Sequence, residues 1–217
     1  MKRIPHDCEA FAGKFKVGYR DLTAKEYVSE HLKFKKIYGR IADKVASLSN
    51  QGDFLEVGAG GGVLACLIAN RNKEVRITAS DLSPDMVAVG TEYIQDMKYA
   101  DRIKYIHSGG DTLDLGDKKF DVIYSSFSFN YWKNPEKVIL NMLKHLKKDG
   151  TIYVTEFRRE WWINLVPGFL LKDVPIIQAG YTPAEVGIML KKLGVNHYKV
   201  EKVSPVSLAF TIYNRSN

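Results

Sequence analysis

The chain has 217 residues, 45% of them hydrophobic, which suits one large domain, or a domain with a cap, around a substantial core. Its 32 basic and 25 acidic residues give a net charge of +7. The excess is spread along the chain, so it permits a nucleic-acid partner without favouring one and reads as a solvated basic surface. The segment Met1 to Asp7 lacks the apolar core of a signal peptide, and no apolar run reaches the roughly 18 residues of a membrane span. A soluble, cytoplasmic protein without membrane contact is expected. Cys8 and Cys66 form neither a metal spacing nor a disulfide framework, so no metal is expected and Cys66 reads as core.

Residues 1–20 mix Phe11, Phe15, Val17 and Tyr19 with glycines and lysines. Thr23-Ala24-Lys25-Glu26 has the capping-box pattern of a helix start. Phe34, Ile37, Tyr38, Ile41, Val45 and Leu48 recur at helical spacing with lysines opposite, which predicts one long helix before the sheet. The run Phe54-Leu55-Glu56-Val57 then enters Gly58-Ala59-Gly60-Gly61-Gly62 and leaves through Val63 to Ala69 in a helical pattern. Strand, glycine turn and helix in that order is where an α/β sheet binds a nucleotide-like ligand.

Spacing separates the families that use such a turn. A phosphate-cradling P-loop needs Gly-Lys-Ser/Thr, but Val63 follows Gly62. The dinucleotide fingerprint needs a sixth-position glycine, which is also Val63. What remains is Glu56-x-Gly58-x-Gly60-x-Gly62, with a carboxylate two residues before the first glycine. That carboxylate suits a ligand bringing a cation. The pattern resembles the first motif of the class I S-adenosylmethionine-dependent methyltransferases.

Glu74 to Asp81 reads as a second strand ending in an acid, and Ser83-Pro84-Asp85 as a helix start with serine as cap. One carboxylate at a strand end can accept from both ribose hydroxyls, which favours that role for Asp81 over charge stabilisation of the next helix's N-terminus. Leu82 adjoins it, and Met86, one turn on, is placed against the adenine. Arg102 to His107 is a third strand running into Ser108-Gly109-Gly110-Asp111. The family's adenine-reading Gly-Asp corresponds to Gly110-Asp111, two residues off the usual spacing. Either the loop differs in length, or backbone groups of Gly109 and Gly110 read the adenine. His107 reads as a strand residue.

Lys119 to Phe127 resembles the family's fourth motif, an apolar strand opening into small polar residues, and places Ser125 and Ser126 beside the methionyl end. Asn130 and Tyr131 stand where many relatives have a His pair, and the Asn/Asp-Pro-Pro-Tyr of amino-group methyltransferases is absent. Asn134-Pro135 starts a helix with Ile139, Met142, Leu143 and Leu146 on one face; Lys147-Lys148-Asp149-Gly150 reads as its end, and Thr151 to Phe157 as the fifth strand. Arg158 to Tyr181 is broken and apolar, which suits a lid over the substrate, a packed connection or a dimer contact alike. Thr182-Pro183-Ala184-Glu185 starts a last helix, and His197–Val203 with Ser207–Tyr213 closes the chain as a hairpin.

The resemblance implies an α/β fold: a doubly wound, mostly parallel seven-stranded sheet with helices on both faces. The expected divisions are 1–50 (N-terminal cap and helix), 51–157 (cofactor-binding core), 158–181 (inserted lid) and 182–217 (C-terminal helix and hairpin), all one domain. It also implies that Tyr19 or Phe15 closes over the cofactor, an aromatic face being favourable to a sulfonium. Gly58, Ala59 and Gly60 would lie along the methionine, with Glu56 serving its amino group. S-adenosylmethionine would be the cofactor and S-adenosylhomocysteine the product, with in-line transfer to a small-molecule acceptor. RNA or protein acceptors and a non-catalytic binding module are the alternatives. Glu156, Tyr131 and Tyr19 are the available bases, and the sequence singles out no catalytic residue.

Overall fold

The computed structural model describes residues 15–17, 20–160 and 178–215. Tyr19 and the apolar run at 161–177, which carries most of the expected lid, lie outside them. A small antiparallel hairpin, β1 (Phe15–Val17) and β2 (Arg20–Leu22), precedes α1 (Ala24–Leu32) and α2 (Lys35–Ala46). Then follow β3 (Gln51–Val57), α3 (Val63–Arg71), β4 (Glu74–Asp81), α4 (Pro84–Gln95), β5 (Ile103–His107) and β6 (Phe120–Ser126). The chain continues through α5 (Pro135–Lys144), β7 (Leu146–Phe157), α6 (Pro183–Lys192), β8 (Tyr198–Ser204) and β9 (Ser207–Tyr213).

The main sheet has seven strands in the order β5-β4-β3-β6-β7-β9-β8, and only β9 runs against the others. Neighbours Phe54 and Leu55 of β3 point to opposite faces, and both are fully buried. Phe54 packs with residues of α2, α3 and α4; Leu55 packs with residues of α5 and α6. Helices therefore cover both faces, as a parallel sheet requires. The winding reverses between β3 and β6, so the crevice beyond their carboxyl ends is the expected ligand position.

Local signals set the element starts. Thr23 and Thr182 both form capping boxes, with Glu26 and Glu185 respectively. Ser83 and Asn134 accept the backbone N–H of Met86 and Lys137, each with proline in the first turn.

Three expectations are corrected. The long N-terminal helix is two helices, α1 closing at Lys33 and α2 opening at Phe34. The apolar face of α1 (Ala24, Val28) and that of α2 (Tyr38, Ile41, Ala42, Val45) are both buried, and one straight helix does not serve both directions. Phe34 and Ile37 consequently leave the buried face and stand 49% and 44% exposed. Finally, Lys147 to Gly150 does not end α5. His145 closes that helix, Leu146 already pairs with Phe120, and the four residues bulge from β7 before Thr151 pairs with Val122. Asp149 takes the positive φ of 62° that this detour needs.

Candidate functional site

A cavity of about 770 Å³ opens at the carboxyl ends of β3, β4, β5 and β6. Its floor is the glycine turn. The N–H groups of Gly58 and Ala59 both donate to the Ser80 carbonyl at 2.9 Å, and that of Gly60 donates to Asp81 Oδ2 at 2.7 Å. Three amides that a phosphate-binding turn would aim at its ligand are thus already engaged by β4. Gly58 and Gly60 sit at φ 74° and 52°, the left-handed region that favours glycine. A Cβ on Gly58 would meet Ser128 Oγ at 2.3 Å, whereas one on Gly60 would meet no protein atom within 4 Å.

Tyr105 of β5 holds the turn from beneath, its hydroxyl donating to the Gly60 carbonyl at 3.0 Å. Val28 of α1 closes on Gly61 so tightly that a Cβ there would lie 2.1 Å from its Cγ2. On the far side, Ser128 Oγ accepts from Trp132 Nε1 at 3.0 Å, donates to the Val57 carbonyl at 3.3 Å and shares a hydrogen bond with Ser125 Oγ at 3.0 Å.

Four acids line the cavity: Glu56, Asp81, Asp85 and Asp111. Glu56 is 1% exposed and accepts from Tyr124 Oη at 3.1 Å. Burial pushes its carboxyl up to about 8, with the nearby Asp81 charge adding, against the opposing hydrogen bonds from Tyr124 and the Ala65 amide. Asp81 at the end of β4 uses one oxygen for Gly60 N–H and the other for Ser83 N–H at 2.9 Å. Burial raises its pKa too, and those amide hydrogen bonds hold the rise back. An ionised carboxylate has about four lone-pair directions, so both oxygens can still accept from a ligand.

Of the residues expected from the sequence, Glu56, Gly58, Ala59, Gly60, Asp81, Leu82, Met86, Gly109, Gly110, Asp111 and Ser126 all line the cavity. Ser125 does not line it. It is 1% exposed and engaged with Ser128, because alternate residues of β6 face opposite ways. Glu156 does not line it either; it is fully enclosed and accepts Asn130 N–H at 3.1 Å and Phe157 N–H at 2.6 Å, so it braces the Phe129–Tyr131 turn. Burial raises its carboxyl to about 7 against those amides. Tyr131 does line the cavity, and His107 binds the Leu82 carbonyl at 2.9 Å as a strand residue.

Sequence reasoning missed Val28, His31 and Tyr38 as cavity residues, whereas Phe127, Ser128 and Trp132 belong to the 127–132 stretch that it expects to line the pocket. Tyr38 meets Phe127 edge-on at 5.9 Å, and Phe127 packs on Phe157 at 4.9 Å. Phe127 holds a φ of 52°, a costly conformation for a bulky residue, at the mouth of the cavity. The run of small and aromatic residues after β6 was the available signal for Ser128.

Comparison with known proteins agrees with this geometry. Residues 55–154 match the family model described as a methyltransferase domain. The fold around that stretch is that of the class I S-adenosylmethionine-dependent methyltransferases. It is 28% identical over 142 residues to the ubiquinone/menaquinone biosynthesis C-methyltransferase UbiE of Geotalea daltonii, covering 64% of this chain and 60% of that protein. The chain spans 34% to 60% of the length of the curated relatives it matches. Among solved structures, a protein of Methanococcus maripaludis described as an S-adenosyl-L-methionine-dependent methyltransferase aligns with TM-score 0.73 and 21% identity, covering 89% of this chain and 93% of that one. The plantazolicin methyltransferase BpumL, crystallised with a triazolic desmethylPZN analogue and SAH, aligns with TM-score 0.70 and 16% identity, covering 88% and 91%. The chain thus shares the fold of these methyltransferase structures and carries a cavity at the switch point of its sheet.

Proposed function

We propose that the chain binds S-adenosylmethionine in this cavity and transfers its methyl group in line to a small-molecule acceptor. The observation that carries the reading is the acid-lined cavity at the switch point, floored by a glycine turn whose amides are already occupied. Such a site disfavours a pyrophosphate and favours a ligand carrying positive charge. In this reading Asp81 accepts from both ribose hydroxyls. Leu82, which is 63% exposed, and Met86 offer apolar faces to the adenine, while Gly109, Gly110 and Asp111 meet its edge. Glu56 serves the amino group, and Gly58 to Gly60 and Ser126 border the methionyl end.

The donor supplies an electrophilic methyl on a positively charged sulfur, and that charge is neutralised as transfer proceeds. The protein's part is to position the reactants and keep the reacting centre dry. The aromatic wall of Tyr38, Phe127, Tyr131 and Trp132 fits that part on the acceptor side. Relatives named for small or natural-product substrates support the acceptor class.

The test is calorimetry with S-adenosylmethionine and S-adenosylhomocysteine, followed by a screen of small acceptors with labelled donor. Asp81→Ala removes charge-assisted hydrogen bonds worth about 1.5–3 kcal/mol each, so donor affinity should fall about a hundredfold or more. Failure of both compounds to bind the wild-type protein would overturn the reading.

A further inference from the structure

The start of α2 breaks three local rules within four residues. Its N-cap, Phe34, supplies no side-chain hydrogen bond to the first turn. Lys35 and Lys36 occupy that turn, where the helix dipole disfavours cations, and no acid accompanies them. Phe34 and Ile37, neighbours at i and i+3, point their apolar side chains into solvent. Several such violations in one place mark a surface kept for something other than stability.

We propose that this turn is a docking surface for an anionic phospholipid membrane, with Phe34 and Ile37 entering the headgroup boundary and Lys35, Lys36 and Arg40 meeting the lipid phosphates. Charge complementarity selects this occupant. Glu30 is already paired with Lys33 at 2.7 Å and Asp43 with Arg71, and among the described residues Lys35, Lys36 and Arg40 have no ion-pair partner. A basic rim around exposed aromatic and branched apolar groups is how an interfacial helix holds a bilayer surface. No helix among the described residues is long and apolar enough to cross a membrane, so the contact is peripheral.

The position gives the surface a use. Phe34 packs against His31 at 6.4 Å, and both His31 and Tyr38, on the turns flanking Phe34, line the cavity. Docking would set the mouth of the cavity against the lipid surface, where apolar acceptors partition.

Vesicle sedimentation of the whole chain tests this without any methyl transfer, so its outcome is separate from that of the donor titration. Vesicles of mixed phosphatidylglycerol and phosphatidylcholine should bind the protein in roughly 0.1 M salt and release it in roughly 1 M salt, where the screening length drops to about 3 Å. Lys35→Gln with Lys36→Gln should weaken binding about 25-fold, roughly fivefold per cation. Phe34→Ser with Ile37→Ser should weaken it at least about tenfold. None of these four side chains lines the cavity, so donor affinity should stay at the wild-type value and report an intact fold. No sedimentation with the anionic vesicles, or either double variant sedimenting like the wild type, would overturn the proposal. So would a patch whose lysines govern binding to single-stranded RNA while vesicles bind no better than pure phosphatidylcholine.

Discussion

Glu56 sits where its charge is hardest to keep. It is buried on β3 beside Asp81, and its pKa of about 8 means that it holds a proton at neutral pH when nothing cationic is near. The folded state therefore binds that proton more tightly than the unfolded state, in which the value is near 4.5. Stability should be intact below pH 4.5 with respect to this group and fall as pH rises from 4.5 to about 8, at up to about 1.4 kcal/mol per pH unit. Glu156, raised to about 7, acts in the same direction over the lower part of that window. Thermal melts across it should show the slope, and Glu56→Gln should flatten it. A bound cation reverses the preference: donor binding should release a proton, and donor affinity should rise with pH until about 8. Calorimetry in buffers of different ionisation enthalpy reads that proton directly, and zero release would refute the pairing of Glu56 with the ligand.

Residue identity also settled the carboxylate at the end of β4. An acid after an apolar run and directly before a Ser-Pro cap falls at the carboxyl end of its strand, so the place of Asp81 at the cavity was legible before any coordinates. Ser125 was not, because facing depends on where β6 begins its alternation, and that phase is set by packing.

At the scale of elements, Gly58 and Gly60 of the turn make a contrasting pair. Gly58 combines a φ of 74° with a side-chain position occupied by Ser128. Gly58→Ala should cost about 1–3 kcal/mol and lower the melting temperature by several degrees. Gly60 has a φ of 52° but open space where its Cβ would go. Gly60→Ala should cost about 1 kcal/mol of stability, yet place a methyl group in the cavity and weaken donor binding at least about tenfold. Thermal melts and calorimetry on both variants separate the effects. A Gly60→Ala protein that binds donor as tightly as wild type would show that the ligand does not lie along the turn.

The helix starts were legible at this scale because caps are made by residues three apart, as at Thr23 with Glu26 and Thr182 with Glu185. The break between α1 and α2 was not. Its cause is the different surfaces that the two helices cover, which the sequence pattern of either one does not contain.

For the whole molecule, the cavity is shared by the ends of four strands and by five helices, so ligand binding couples elements from both faces of the sheet. Donor at a hundred times its dissociation constant should stabilise the fold by about 2.7 kcal/mol and raise the melting temperature by roughly 5–10 °C. A melt unchanged by saturating S-adenosylhomocysteine would show that the compound does not bind the folded chain.

The sequence by itself determined the strand, the glycine turn, the helix and the acid one strand later, because each is written in residues no more than a few positions apart. From that unit and the alternating pattern after it, the doubly wound sheet followed. Only the tertiary structure decided what encloses the turn. Ser128 reaches Val57 across 71 residues, Tyr105 reaches Gly60 across 45, and Val28 closes on Gly61 from another helix. It also decided that Phe34 and Ile37 face water although their spacing matches a buried stripe. Periodicity says which side chains share a face; whether another surface comes to cover that face depends on contacts that no local pattern encodes.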